Sequence, residues 1–461
     1  MNPALKYCLA LLSFLAPAVM PAQTFTTLVN FNGANGANPS WMSFVQGADG
    51  YLYGTTQHGG SGVCVGFTCG TVFKMTTDGS LTTLYKFDST HGDYPYVGLT
   101  YGGAGNFYGG VLGGGSILGG GTVFRISSEG VLHTLHRFCE HNQCLGDGLS
   151  LGAVLVRGAD NNLYGTTQTG GAENGGTYFR ITPTGDFTSL GSFPRTNRLS
   201  FPYPALSFQG VDGYFYGIGR YSGKYGQGSI FRMTPAGDLT TLYSFEVTDD
   251  QPNSLILGID GNLYGVTEFG GPEGLGTIFR FTPDGTLTTL YNFADGGLTG
   301  NPQGLIQGSD GNFYGVTRLN RGAMFKFTLD RTLTILHDFS ASGGSPFGGP
   351  LGLFQATDGK FYGTTFDGGT FDLGIAYSLS MGLPPFVSTF PAIASAGLTI
   401  EILGTNLTGA SSVSFNGVQA AFNVLSPTVM TATVPAGATS GMITVQTPSG
   451  TLQSNTVFRV R

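Results

Sequence analysis

The chain repeats one pattern of apolar and polar positions seven times between residues 24 and 380. Each copy centres on Phe or Leu followed by Tyr-Gly, and the copies recur about 50 residues apart, at Tyr53, Tyr108, Tyr164, Tyr216, Tyr264, Tyr314 and Tyr362. A period of this length is typical of stacked or radial repeat architectures. A motif present in every copy builds the scaffold, so residues that carry function must lie where the copies differ.

The fifth copy illustrates the four strands that each unit predicts. A short apolar run at 254–258 precedes the hairpin signal Asp260-Gly261, and a second strand follows at 262–267. After a Gly-rich stretch, residues 277–282 alternate in character, and residues 286–293 are rich in β-branched and aromatic side chains. No part of the unit has a helical period. Four short antiparallel strands in about 50 residues make one blade of a β-propeller.

The two ends of the repeat array complement each other. The seventh copy has only its first three strands, because Leu383-Pro384-Pro385 interrupts the pattern where the fourth should follow. A matching fourth strand occurs at residues 24–31, which resemble residues 81–87 of the first unit. We therefore predict that residues 24–31 pair with the strand around 375–379 and close a ring of seven blades. Such closure would leave no exposed strand edge.

Residues 1–22 have the organisation of a secretory signal peptide. Lys6 supplies a positive start, residues 9–19 form an apolar core, and small residues and prolines lead to Ala22. The apolar core is too short for a transmembrane anchor, and no other apolar run reaches about 18 residues. We expect a secreted or cell-surface protein without membrane insertion, with the periplasm as the alternative compartment.

After Pro385 the period stops and a different β pattern begins. Residues 386–461 contain short alternating strands separated by turns such as Asn416-Gly417, which predicts a small β-sandwich. The segment resembles the IPT/TIG family of immunoglobulin-like domains, through Phe390-Pro391, Gly404-Thr405-Asn406, residues 413–417, Val434-Pro435 and residues 441–445. The resemblance implies an interaction or spacer module without catalysis of its own. The expected organisation is thus a signal peptide at 1–22, a seven-bladed propeller at 23–382 and an immunoglobulin-like domain at 386–461.

The repeats also resemble known families. Residues 24–380 are similar to the GloVer tandem repeats of secreted bacterial proteins, through the runs Asp-Gly-Asn-Leu-Tyr-Gly and Gly-Thr-Ile-Phe-Arg and the turn Thr-Pro-Asp-Gly. This resemblance implies a location outside the cell but no particular chemistry. The blades resemble those of streptogramin lyases as well, which implies a histidine and a divalent metal at one face of the ring. His58, His91 and His141 lie in loops of that face, although none has an obvious carboxylate and partner histidine nearby.

Composition narrows the classes of function. The chain has 461 residues, with 40% hydrophobic and 13% aromatic residues, so it can bury a large core. Charged residues are only 10%, the formal net charge is −7, and no basic run occurs. This balance argues against nucleic acid or an anionic membrane as a partner. Because no Gly-x-Ser-x-Gly elbow, phosphate loop or zinc-protease motif is present, we expect no cofactor.

Four cysteines remain beyond the signal segment, as the pairs Cys64/Cys69 and Cys139/Cys144. In an oxidising compartment, an even number of closely spaced cysteines predicts disulfides. Both pairs fall on the same face of the predicted ring, so a four-cysteine zinc site is an alternative. A metal is also conceivable in the local cluster of His133, His136, Cys139, His141 and Cys144. We favour two disulfides and no metal.

The two faces of the predicted ring carry different loops. The first and third turns of each blade lie on one face, which we call the turn face, and these turns are short and alike. The second turns and the links between blades lie on the opposite face, the variable face, where length and content differ. Binding residues concentrate on loops held by a rigid scaffold, and arginine binds carboxylates through two parallel hydrogen bonds. Candidate ligand contacts are therefore Trp41, Tyr94, Phe201, Arg220, Tyr221, Tyr225 and Arg318.

These features favour a non-catalytic protein that binds or displays a ligand outside the cell. The expected ligand is a glycan or a protein, held on the variable face near the central channel. One alternative is a metal-dependent lyase acting on a polysaccharide or a small molecule. The other is a structural component of a surface layer. The sequence leaves the oligomeric state open.

Overall fold

Alternating side chains and Gly-containing turns fold the repeats into seven antiparallel sheets of the four-stranded blade type. The computed structural model describes residues 23–39, 44–60, 63–64, 67–115, 119–140, 144–194, 203–246, 251–294, 300–339 and 349–461. The predicted signal segment 1–22 lies outside them. The described chain forms a seven-bladed β-propeller followed by an immunoglobulin-like sandwich, which confirms the predicted fold class.

The strands of each blade are given from the central channel outward. Blade 1 contains Ala37–Pro39 with Val45–Gln46, then Leu52–His58, Thr71–Met75 and Leu81–Lys86. Blade 2 contains Thr100–Gly103, Asn106–Val111, Thr122–Ser127 and Leu132–Arg137. Blade 3 contains Leu149–Leu151 with Val156–Arg157, then Leu163–Thr169, Thr177–Ile181 and Phe187–Ser192. Blade 4 contains Pro204–Gln209, Phe215–Gly219, Ser229–Met233 and Leu239–Ser244.

The remaining blades follow the same plan. Blade 5 contains Pro252–Leu257, Leu263–Thr267, Thr277–Phe281 and Leu287–Asn292. Blade 6 contains Pro302–Gln307, Phe313–Thr317, Ala323–Phe327 and Leu333–Asp338. Blade 7 contains Pro350–Gln355, Phe361–Thr365, Ile375–Ser380 and, as its outermost strand, Thr24–Asn30. The loops of the variable face add the hairpin Val63–Cys64 with Phe67–Thr68, the short helix Cys144–Asp147 and the 3₁₀ helix Leu319–Arg321.

The ring is closed by the strand Thr24–Asn30, which pairs antiparallel with Ile375–Ser380. Its side chains reach into both neighbouring blades. The ring of Phe25 stacks on His337 of blade 6, with centroids 3.6 Å apart. Phe31, directly after the strand, is fully buried and packs edge-on against Phe73 of blade 1, with ring centroids 5.5 Å apart. The amino-terminal strand therefore joins three consecutive blades.

The geometry of the blade explains the repeated Tyr-Gly pair. The glycine leaves room for the phenylalanine of the third strand. A Cβ atom at Gly265 would lie 2.4 Å from the Phe279 ring and one at Gly315 would lie 2.4 Å from the Phe325 ring, both far inside van der Waals contact. A side chain at this position is therefore excluded, and the motif serves packing.

The tyrosine of the motif anchors the first turn of its own blade. In six blades its hydroxyl donates a hydrogen bond of 2.6–2.8 Å to the turn aspartate four residues earlier, at Asp49, Asp160, Asp212, Asp260, Asp310 and Asp358. Burial, followed by the hydrogen bond to Asp260, raises the pKa of Tyr264 to about 12. Blade 2 has no aspartate in this turn, which becomes important where the C-terminal domain docks.

A second repeated contact links neighbouring blades on the turn face. Gln307 donates from Nε2 to the carbonyl of Gly311 in its own turn, at 2.9 Å, and its Oε1 accepts the N–H of Ile259 in the preceding blade, at 2.9 Å. The same pair of bonds is made by the glutamines at the equivalent position of three other blades, Gln46, Gln209 and Gln355. These amides hold the turns of consecutive blades in register.

The C-terminal domain is a sandwich of two four-stranded sheets. One contains Ser388–Phe390, Thr399–Leu403, Val429–Thr433 and Phe422–Val424, and the other contains Val418–Gln419, Ser412–Phe415, Ile443–Thr447 and Gly450–Gln453. The short strands Ile393–Ala394 and Arg459–Val460 pair in parallel. Residues such as Ile402, Phe415 and Met430 fill the space between the sheets. In the part of the chain that the structure describes, no helix has the length and apolar character needed to span a membrane.

The cysteine predictions are settled for one pair. Cys139 and Cys144 form a disulfide at the start of the short helix, which removes their thiolates from any metal site. Cys69 is also disulfide-bonded, and the side chain of Cys64 lies outside the described part of the chain.

Removal of residues 24–31 is expected to abolish the soluble folded protein, because it exposes the edge of Ile375–Ser380 and empties the site of Phe31. Phe31→Ala is the milder test and should cost about 3–5 kcal/mol of unfolding free energy. Thr24→Ala, at an exposed position, is the control. Soluble yield and thermal unfolding measure the effect, and an unchanged melting temperature after the deletion would contradict ring closure.

Stability should fall as the pH is lowered below about 6.5, because burial against Phe25 lowers the pKa of His337 below its ordinary value while Asp338 opposes the shift. The neutral imidazole is favoured in the folded chain, so its contribution is complete above the unfolded pKa and is lost as the pH falls through the folded pKa. His337→Phe should flatten this dependence in calorimetric scans from pH 7.5 to 5. A slope in His337→Phe equal to that of the parent protein would refute the assignment.

Candidate functional site

A cavity of about 1000 Å³ occupies the central channel of the propeller. Its described lining comes from the innermost strands of blades 2 to 7 and from residues 389–393 of the C-terminal domain. The middle of the channel is apolar, since leucines at the equivalent position of blades 3 to 7 line it, at Leu155, Leu206, Leu255, Leu305 and Leu353. The volume lies within the range of sites for small ligands.

The variable-face end of the channel is formed by one position of the repeat. We call the residue four positions after each motif tyrosine the mouth position, because it lies at the end of the second strand, inside the strand in blades 1 and 3 and directly after it in the other blades. Four mouth residues line the cavity, namely Gln168, Arg220, Glu268 and Arg318. The other repeats have Gln57, Leu112 and Phe366 there. This position differs between copies, whereas the tyrosine that precedes it does not.

An unusual backbone conformation holds the mouth residues in place. In several blades the residue before the proline that opens the innermost strand has a positive φ, for example 59° at Gln251 and 52° at Asn301. The carbonyls of these two residues accept the N–H groups of Glu268 and Arg318, at 2.9 and 3.1 Å. Residues other than glycine rarely adopt this conformation, and such strain concentrates at functional sites.

Arg220 and Glu268 form an ion pair across the mouth. Nε of Arg220 also donates to Oε1 of Gln251, at 3.2 Å, so two contacts fix the plane of the guanidinium. Glu268 is nearly buried, whereas Arg220 is more exposed. The pair therefore presents an oriented, solvent-reachable cation beside a sequestered carboxylate.

Arg318 and Tyr96 extend this charged group. Burial lowers the pKa of Arg318, and the nearby charge of Arg220 lowers it further, while Tyr96 and Asp367 act in the opposite direction. Burial likewise raises the pKa of the Tyr96 hydroxyl, and both arginines oppose that shift. The charges of Arg220 and Arg318 thus both act on Tyr96, and the charge of Arg220 also acts on Arg318.

The structure brings together three of the candidate residues from the sequence. Arg220, Tyr221 and Arg318 all line the cavity. Tyr94 instead packs edge-on against His58, with centroids 4.9 Å apart, and Tyr225 is 48% exposed beside Lys224. Trp41 and Phe201 lie outside the described residues.

Several lining residues were not candidates, namely Gln168, Glu268, Asn253, Gln303, Tyr96 and Tyr203. The two tyrosines each stand beside a proline, Pro95 or Pro204, a position where packing is expected, but in the structure both line the cavity. Alignment of the repeats would have identified Gln168 and Glu268, because the residue at the mouth position changes between copies from an amide to a charged side chain.

The histidines considered for a metal are dispersed. His91 contacts Asp88, with 2.9 Å between Nδ1 and Oδ1, and His58 packs on Tyr94. His141 lies outside the described residues. Within the described ranges, no group of three or more His, Cys, Asp or Glu side chains is arranged to hold a metal ion.

The turn-face end of the channel is covered by the C-terminal domain. Phe390 packs against Tyr101 of blade 2 and lies under the guanidinium of Arg157 of blade 3, at 4.8 and 4.5 Å. The carboxylate of Glu401 accepts hydrogen bonds from the Tyr101 hydroxyl, at 2.7 Å, and from the N–H of Ala104, at 3.0 Å. Thr428 donates to the carbonyl of Ala48 in blade 1, at 2.6 Å. The sandwich therefore forms the floor of the cavity.

Docking occurs where the repeats depart from their consensus. Tyr101 and Arg157 occupy the position that carries the linking glutamine in blades 1, 4, 6 and 7. Blade 2 also lacks the turn aspartate, and Glu401 supplies a carboxylate to that turn from the other domain. The substitutions in blades 2 and 3 thus serve the contact with the sandwich.

Comparisons with known proteins agree with this architecture. Residues 18–151 match the Gloeobacter/Verrucomicrobia repeat, and residues 384–460 match the IPT/TIG domain, which confirms both resemblances seen in the sequence. A streptogramin B lyase structure is similar in fold, with a TM-score of 0.55 and 15% identity over 78% of this chain and 97% of that one. A fungal alcohol oxidase of the AA5 family, solved with copper, has a TM-score of 0.54 and 11% identity over 95% and 98%.

At these identities the likeness concerns the fold alone. No curated protein matches the chain.

Glu401→Ala should loosen the sandwich from the propeller, because it removes both hydrogen bonds to blade 2. We expect a loss of about 1–3 kcal/mol in the free energy that couples the two domains. In calorimetry, the unfolding transitions of the propeller and the sandwich should be further apart in Glu401→Ala than in the parent protein. Glu129→Gln, an exposed carboxylate on the same face of blade 2, is the matched control. Unchanged transitions in Glu401→Ala would show that these bonds do not hold the domains together.

Proposed function

We propose that the protein is an extracellular binding protein that takes up the end of a glycan in its central channel from the variable face. The observation that carries the proposal is a channel with two unlike ends. The sandwich covers the turn-face end, while the other end presents tyrosines, amides and arginines on positions that vary between repeats. We retain 23–382 and 386–461 as the proposed limits of the two domains.

A glycan fits this site better than a folded protein partner does. A stable protein interface needs about 800 Å² of surface on each partner, whereas this site is a cavity that takes a small ligand or a chain end. Tyr203 and Tyr221 provide aromatic faces at the mouth, and Asn253 and Gln303 provide amides for hydroxyl groups. The combination suits a ligand with apolar faces and many hydroxyls.

The expected location outside the cell has three supports. Residues 1–22 have the pattern of a signal peptide, and Cys139–Cys144 is a disulfide of the kind that persists in oxidising compartments. The IPT/TIG domain suits a surface or binding role. Secretion would place the mouth of the channel in contact with extracellular polysaccharides.

A glycan array followed by calorimetry on the mature protein tests this function. Tyr221→Ala should weaken binding of the identified glycan by about tenfold or more, since an aromatic contact at the centre of a site carries much of the affinity. Tyr225→Ala is the matched control, because Tyr225 lies on the same loop but outside the cavity.

Three results would contradict the proposal. They are no binding to any glycan, equal losses in both tyrosine variants, and breakdown of the glycan during the measurement. The last result would favour a lyase instead.

A further inference from the structure

We propose that the mouth of the channel recognises the carboxylate of an acidic sugar, a uronic acid, between Arg220 and Arg318. This inference rests on the proposed function and specifies its ligand. It assigns a charge to the ligand that neither the fold nor the repeat pattern implies.

The placement of the two arginines is not required by the scaffold. Lys and Arg number only 20 in 461 residues, yet two arginines occupy mouth positions of one cavity. At the same position other repeats have Gln57, Gln168, Leu112 and Phe366, so the blade accepts neutral side chains there. The fold of the blade alone therefore does not require arginine at this position.

The electrostatics of the mouth favour an incoming anion. Burial lowers the pKa of Arg318 and the charge of Arg220 lowers it further, so the two cations lie close enough to interact. Holding like charges together in this way costs free energy, which an anion bound between them offsets. The guanidinium plane of Arg220 is already fixed by Glu268 and Gln251, so little rotational freedom is lost on binding.

The neighbouring carboxylates select a singly charged ligand. Glu268 lines the same mouth, and Asp367 raises the pKa of Arg318, so an anion bound between the arginines also has carboxylates nearby. A phosphate monoester carries up to about two negative charges and would be repelled more strongly by Glu268. A sulfate ester carries one charge, but its three charged oxygens do not lie in one plane. A carboxylate carries one charge and matches the planar fork of an arginine.

The polar groups around the arginines match a sugar ring rather than an alkyl acid. Nδ2 of Asn253 lies 3.4 Å from Oε1 of Gln303, and both residues line the cavity. Tyr96, Tyr203 and Tyr221 surround the same opening. Amides and tyrosine hydroxyls can both donate and accept, as the hydroxyls of a sugar require.

The test uses matched pairs of probes. Trimers of galacturonic, glucuronic and mannuronic acid are each compared by calorimetry with their methyl esters, which have the same sugar framework without the charge. At least one acid should bind about 10–100-fold more tightly than its ester, the range expected for one charge-assisted pair. That preference should shrink as the salt concentration rises.

Arg318→Gln should remove the preference, leaving acid and ester within about threefold of each other. Glutamine occupies the mouth position of blades 1 and 3, so the variant is expected to fold, and thermal unfolding checks this. Arg318→Lys should recover only part of the preference, because an ammonium cannot form the paired hydrogen bonds. Lys224→Gln, which removes one exposed charge from the same face, should change nothing.

The outcomes separate this inference from the proposed function. Equal binding of acid and ester, or tighter binding of a sulfated trimer, would overturn the proposal that the mouth recognises a carboxylate. The proposal that the protein binds a glycan would still stand. An acid preference that survives in Arg318→Gln would overturn the assignment to this mouth. If neither these probes nor the array yields binding, both proposals fail.

Discussion

The antiparallel pairing of Thr24–Asn30 with Ile375–Ser380 is the constraint on which the rest of the molecule depends. It converts a row of seven similar sheets into a ring without free edges, and the number of blades then sets the width of the channel. Because the blades are tied by buried aromatic side chains and by the linking glutamines, the mouth positions are held at defined places around that channel. The site is therefore a property of the whole ring and not of any single repeat.

Comparison of the repeats separates residues that build the scaffold from residues that dock the sandwich or form the mouth of the channel. Motif tyrosines and glycines recur because each blade needs them for the same contact. Departures occur in two places. On the turn face, Tyr101 and Arg157 replace the linking glutamine and hold the sandwich. On the variable face, the mouth residues change between amide, apolar and charged types. Each end of the channel thus has its own set of specialised substitutions.

The sequence allowed the strands, the turns and the seven-bladed ring to be predicted, because each depends on local periodicity and on complementary chain ends. Arg220, Tyr221 and Arg318 could be chosen because arginine and tyrosine stand out in glycine-rich loops. Glu268 and Gln168 were missed, since their position at the mouth of the channel becomes apparent only when the copies are aligned around a common axis. The docking of Glu401 on blade 2 was also missed, because it depends on how the two domains pack together and produces no periodic pattern in the sequence.

Ring closure also has a consequence for the order of events during folding. Asn30 contacts Thr370, a separation of 340 residues, so the strand Thr24–Asn30 finds its partner only when nearly the whole propeller is available. Until then an apolar, β-prone segment stays unpaired, which makes the unfinished chain prone to aggregation. A protein exported before folding would meet this requirement, since all of its strands then arrive in the same compartment before the last sheet is assembled.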